Sequence, residues 1–195
     1  MRTAIFNWLL FIFLITGCTK SELSPADYIK YFEENGMPES HTQIGNIKVE
    51  MKFIPAEYML LKDDKAKNIS QKTIDEKNDL VYLHLDFFDL ESKSEAIRST
   101  ANNEMELYQK IEYASFKAQE DLSMIRGKDT VSCVLYHFER GYNLSSNNRM
   151  ILGFPNKGEG NESITLRYED KLFGIGIINL VIDKEKLNRV PKLKI

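Results

Sequence analysis

With two cysteines in 195 residues, the chain has no scope for a disulfide framework, and several other signals are missing as well. No apolar run reaches the roughly 20 residues that a membrane-crossing helix needs, the longest being a stretch of about 12, Ala4 to Ile15. Neither sign of charge dominates. The 26 Lys and Arg against 29 Asp and Glu give a formal net charge of −3, scattered along the chain, which argues against a nucleic-acid partner. There is no serine-centred nucleophile elbow, no zincin helix and no assignable carboxylate pair. Gly174-Ile175-Gly176 lacks the third glycine and the following helix of a phosphate loop, and reads as part of a strand where glycine admits close packing or curvature. No cofactor is implied. What is present is an ordinary globular composition, 43% apolar with 11% aromatic, enough for one domain with a real core but not for two.

The N-terminus carries the strongest signal. Arg2 and the terminal amine precede the apolar stretch, which is too short to span a bilayer and has the shape of a secretion-signal h-region. Ile15-Thr16-Gly17-Cys18 then resembles the lipobox of bacterial lipoproteins. That resemblance implies cleavage before Cys18, diacylglycerol on its thiol and acylation of the freed amine. Each buried methylene adds about 0.8 kcal/mol, so two or three chains anchor a protein where one would not. Residues 1–17 are then a removed signal, 18–23 the lipidated residue and a tether, and 24–195 a single globular domain. Loss of Arg2 takes the net charge to −4. Thr19, not Asp, follows the cysteine, which in diderm lipoproteins implies passage to the outer membrane.

Along the mature chain the apolar period predicts each element. Ser24-Pro25-Ala26-Asp27 caps a short helix, 25–35, ended by Asn35-Gly36. Ile47, Val49, Met51 and Phe53 alternate with polar residues in a strand, with Gly45-Asn46 as the turn before it. Pro55 opens a helical turn over 56–61, and the charged stretch 62–79 reads as a solvated loop or surface helix. Leu80 to Leu90 is a strand with Val81, Leu83, Leu85 and Phe87 on one face and His84 and Asp86 on the other. One long helix is expected over 94–115. A hairpin follows, with arms 122–126 and 130–139 joined at Gly127-Lys128-Asp129, its second arm reading as a central strand covered on both sides. Further strands are expected over 149–154, 163–169 and 173–182. The fold class is α+β: a mainly antiparallel sheet of about six to eight strands, one long helix and a short N-terminal helix.

Candidate chemistry is sparse. Cys133 has His84 and His137 as conceivable partners, but a lone thiol between Val131 and Leu135 reads as a small core residue. His84 and Asp86, two residues apart on one strand face, are too few for a metal. Tyr136-His137-Phe138-Glu139-Arg140-Gly141-Tyr142 is the densest run of aromatic and charged residues, and Tyr136, His137, Arg140 and Tyr142 are the candidates to edge a ligand groove.

The lipobox, the Ser24-Pro25-Ala26-Asp27-Tyr28 helix, Pro55-Ala56-Glu57-Tyr58 and Tyr136-His137-Phe138-Glu139-Arg140 together resemble uncharacterised lipoproteins of Bacteroidetes-type bacteria. The resemblance carries no activity. It implies an outer-membrane setting, and Asp129-Thr130-Val131 would then look like an O-glycosylation acceptor at Thr130. The sequence thus leans away from an enzyme. It favours a membrane-anchored binding or scaffolding component of the cell envelope, held through lipid on Cys18 and engaging an envelope protein or glycan. The alternative is an envelope hydrolase whose site is assembled from distant residues. A Cys18→Ser variant is expected to lose palmitate labelling and to leave the membrane fraction; label and membrane retention in that variant would refute the anchor.

Overall fold

The computed structural model describes residues 22–63, 69–142, 144–157 and 162–195. Cys18, the leader and most of the tether lie outside the described residues. The last two tether residues form a short strand, β1 (Glu22–Leu23), which runs parallel to β11 (Lys192–Leu193) near the C-terminus.

Helix α1 (Pro25–Asn35) begins as its sequence dictates. Ser24 Oγ accepts the Asp27 amide at 3.3 Å, Pro25 occupies the first turn where no amide partner exists, and Gly36 closes the helix at φ +74°. Tyr28 and Phe32 are its buried residues. A hairpin of β2 (Glu39–Ile44) and β3 (Ile47–Ile54) turns at Gly45, whose φ of +62° only glycine adopts freely. Helices α2 (Ala56–Lys62) and α3 (Gln71–Lys77) follow, the second capped by Ser70. Then comes the longest strand, β4 (Leu80–Asp89).

The next segment corrects the expectation of one long helix. It is two, α4 (Ala96–Ser99) and α5 (Glu104–Phe116). Thr100 Oγ1 donates to the Ala96 carbonyl at 2.7 Å as α4 ends, and Asn103 Oδ1 accepts the Glu106 amide at 3.0 Å as α5 begins. Polar side chains that bond the local backbone break a helix as readily as they cap one.

The hairpin also differs from expectation. Strand β5 (Leu122–Arg126) pairs with β6 (Asp129–Ser132), but the chain then leaves that sheet. The Val134 amide bonds the Gly153 carbonyl at 2.9 Å, and β7 (Leu135–Glu139) pairs with β8 (Asn147–Pro155) in the other sheet. The predicted central strand is therefore two edge strands. Strand β9 (Ile164–Glu169) is as expected, whereas the last long strand starts late, as β10 (Ile177–Ile182). Gly174 and Gly176 at φ +71° and +79° break the extended run. Asp170 accepts the amides of Leu172, Phe173 and Ile175, folding 170–176 into a loop. A short helix α6 (Lys184–Asn188) leads to β11.

Two antiparallel sheets result, ordered β2-β3-β4-β8-β7 and β10-β9-β5-β6. The fold is mixed α and β with mainly antiparallel sheets, and the described residues contain 11 strands and six helices, more strands than expected. The sheets share one core. Val49, Met51, Leu83, Leu85, Phe87, Met150 and Leu152 of the larger meet Met124, Leu166, Tyr168, Leu180 and Ile182 of the smaller, while Ile97, Leu107, Ala114 and Ala118 close it from the helical side. Phe87 is fully enclosed, with the Phe173 ring 5.2 Å and the Tyr168 ring 5.8 Å from its own. On the opposite face of β3 and β4, one end is capped where Ile54 and Tyr82 pack on Met37, Tyr58 and Met59.

Truncating Phe87 to alanine is expected to cost about 3–5 kcal/mol, whereas Met105→Ala, on the exposed side of α5, should change stability by less than about 0.5 kcal/mol. Urea unfolding of both variants checks the contrast.

Candidate functional site

Strand alternation forces a decision on the outer face of the larger sheet, because every second residue of β3, β4, β8 and β7 points away from the core. The register sets Glu50, Asp86, Arg149 and Glu139 side by side in one row, and Lys52, His84, Ile151 and His137 in the next. Asp86 is 1% exposed despite facing outward. It is held by a bidentate pair with Arg149, Nε at 2.7 Å and Nη2 at 3.0 Å, and by Asn147 Nδ2 at 3.0 Å. Planar fork against planar carboxylate is the strongest geometry open to such a pair.

Glu50 is likewise buried between two cations, Lys48 at 2.6 Å and Lys52 at 2.5 Å. Burial alone would raise its carboxyl pKa, but the two lysine hydrogen bonds outweigh that and hold it below the ordinary value. Lys48 also lies 5.5 Å from the centre of the Phe88 ring. His84 sits between these pairs. Burial, helped by the Arg149 charge and opposed by Asp86, pushes its pKa down to about 4, so it is neutral at pH 7.

Beside this row a polar cleft opens at the β7 edge. His137, Glu139, Arg140, Gly141, Ser145, Asn147 and Arg149 line about 430 Å³. Arg149 connects the two regions, its Nη1 lying 3.9 Å from Glu139 while its other nitrogens hold Asp86. Gly141 lets two side chains come close: a Cβ there would fall 2.5 Å from both Glu95 Oε1 and Ser145 Oγ, which would then have to move. Next to it Tyr142 takes a φ of +48° and presents its ring to Arg140, 4.9 Å from the guanidinium carbon. Tyr142 is 70% exposed.

Of the four residues singled out by sequence, His137 and Arg140 line the cleft and Tyr142 stands on it through Arg140. Tyr136 does not join them. It pairs with Leu152 on the core face, and its hydroxyl donates to the Ala114 carbonyl of α5. Glu139 lies within that run, whereas Ser145, Asn147 and Arg149 reach it only when β8 pairs with β7; the run of Asn147, Asn148 and Arg149 before an apolar strand is their only signal in the sequence.

The remaining candidates fall elsewhere. Cys133 faces the core where the chain changes sheets, its thiol donating to the Leu135 carbonyl at 3.0 Å. Burial pushes that thiol up to about 11, so it is protonated at neutral pH and a poor nucleophile. It does not share the outward face of His137. Among the described residues no group of three or more His, Cys, Asp or Glu is arranged to hold a metal ion. Thr130 is exposed on edge strand β6, just past the turn at Gly127. Comparison with protein-family models, with curated proteins and with solved structures finds no match to the chain.

His84 makes stability dependent on pH in a defined window. Its folded pKa of about 4 lies below the ordinary 6.5, so between those values the unfolded chain binds the extra proton. Stability is expected to fall as pH drops from 6.5 towards 4 and to be level, for this residue, above 6.5. His84→Gln should flatten that slope in urea titrations. The Glu50 contribution is lost only below about pH 4.5, so it leaves the upper window unchanged.

Proposed function

We propose that the chain is a lipid-anchored, non-enzymatic binding component of a bacterial envelope, that Cys18 carries the lipid, that Thr19 sends it to the outer membrane, and that the cleft beside β7 receives an envelope glycan. The lipobox and the short apolar leader support the address. The cleft supports the ligand class. It combines carboxylate, amide, hydroxyl, imidazole and guanidinium groups, donors and acceptors in the mixture that sugar hydroxyls demand, with an exposed tyrosine ring at its margin. Its breadth and openness suit recognition more than a water-excluding reaction, which needs closure around converging groups. The protonated core thiol of Cys133 removes the one nucleophile the sequence had offered. Exposure of Thr130 also suits the O-glycosylation that the family resemblance suggested.

The single observation carrying this reading is Arg149, whose bond to buried Asp86 holds its remaining nitrogen towards the cleft in a fixed position. Pre-organised donors lose little freedom on binding. Titration of the lipidated protein with envelope-glycan fragments, followed by NMR, tests it. Arg140→Ala and His137→Ala are each expected to weaken binding about tenfold, the worth of one hydrogen bond to a charged or polar group. If neither variant changes an observed affinity, or if no fragment binds, this cleft is not the glycan site.

A further inference from the structure

At the far end of β8 from the polar cleft, the mouth of the sandwich holds a second cleft, of about 300 Å³. The ends of β3, β4, β5, β8 and β9 meet there beneath the start of α2 and the C-terminal segment. Phe53, Ile54, Pro55, Leu187, Val190 and Pro191 give it apolar walls. Its size falls at the small end of the roughly 300–1,000 Å³ range of small-molecule sites, and its mainly apolar lining with a few polar groups is the make-up such sites share.

Arg126 is the anomaly in this cleft. It ends β5 on the same face as Leu122 and Met124, both core residues, and is only 8% exposed. Its Nη1 donates to Asn156 Oδ1 at 2.5 Å, while its buried Nε has no partner. Among the described residues no carboxylate pairs with it. The Glu162 carboxylate packs against Gly127, one residue on, without forming an ion pair with Arg126. The other charged residues of the lining, half-buried Glu57 and exposed Lys192, are opposite in sign and leave the guanidinium unbalanced. A buried cation without a counter-charge is a costly feature in a domain where two other buried charges, Asp86 and Glu50, are both ion-paired.

We infer that this cleft binds a small carboxylate with an apolar tail. The carboxylate seats on the Arg126 fork, whose spacing matches two oxygens, and the tail lies along Ile54, Leu187, Val190 and Pro191. Where such a ligand comes from rests on the lipid-anchored reading above. β1 ties the N-terminal segment to Lys192 and Leu193 at this same mouth, and the four steps from Cys18 to Glu22 span at most about 14 Å. An anchored chain therefore keeps the mouth near the bilayer, where single-chain carboxylates reside. The site itself does not require the anchor.

The test uses the mature lipidated protein in nanodiscs with octanoate labelled at its carboxyl carbon. Saturable binding by NMR and a raised thermal midpoint are expected for octanoate, and neither for octanol or acetate at the same concentration. Arg126→Met should weaken octanoate at least tenfold while leaving the ligand-free protein at least as stable as before, because it removes a buried charge that has no counter-charge without ligand. Val190→Phe, which fills the tail space and keeps the charge, should weaken it similarly, so the test survives a misfolded Arg126 variant. The Cys18→Ser protein should bind octanoate equally well in solution, which separates failure of the site from failure of the anchor. Equal binding of octanol, tighter binding of octyl phosphate, absence of octanoate binding, or a destabilised ligand-free Arg126→Met that keeps its octanoate affinity would each overturn the inference.

Discussion

The structure depends on the two faces of β4. Hydrogen-bonded to β3 on one side and β8 on the other, it turns Leu83, Leu85 and Phe87 wholly into the core. Burying each such side chain contributes about 1.5–3 kcal/mol. The period of two then places His84, Asp86 and Phe88 on the other face, at the centre of a five-stranded sheet, where water reaches only the outermost atoms. An aspartate in that position needs bonding partners, and Arg149 and Asn147 supply them.

Such a pair is weak evidence of stabilisation, since desolvating two ions offsets most of their attraction. Its consequence is geometric. Asp86 fixes two nitrogens of Arg149 and so fixes the third, and Asn147, held by the same carboxylate, lines the same cleft. Glu50 plays the equivalent part for Lys48 and Lys52 one strand away. The outer face thus behaves as a set of preset charges, and the part that remains free to meet a ligand is the edge where β7 ends and Arg140 and Tyr142 leave the sheet.

Local patterns in the sequence were legible where one face was plainly apolar. The cap at Ser24, the turn at Gly45, the alternation of β3 and β4 and the hairpin at Gly127 all follow from residue spacing alone. Where the strand expectations fail, one cause is that a strand pattern does not record which partner a strand pairs with. Val131 to Phe138 is a nearly continuous apolar run that reads as one strand, yet its first half bonds β5 and its second half β8, with Cys133 at the switch. Asn103, read as an internal helix residue, is instead a cap, a choice settled by the packing of α4 against Asn148, whose Oδ1 accepts the Ile97 amide at 2.8 Å. The site was half legible for the same reason: His137 and Arg140 lie in one run of sequence, but Arg149 and Asn147 reach them only across the sheet.

The positions of the two clefts along β8 relate them to the chain terminus. Asn147 opens that strand in the polar cleft, and Asn156, just past its end, lies in the apolar one. Nine residue steps at about 3.3 Å each place the two roughly 30 Å apart. β1 and β11 lie at the apolar end, so any anchor on Cys18 acts there, within the reach of a short tether. With such an anchor the charged cleft would lie on the side away from the bilayer. A domain tethered this way meets two environments at once, apolar molecules of the membrane at its base and polar ones of the aqueous compartment at its far end. The uncompensated charge of Arg126 and the preset charge of Arg149 are the features that would tell those two classes of ligand apart.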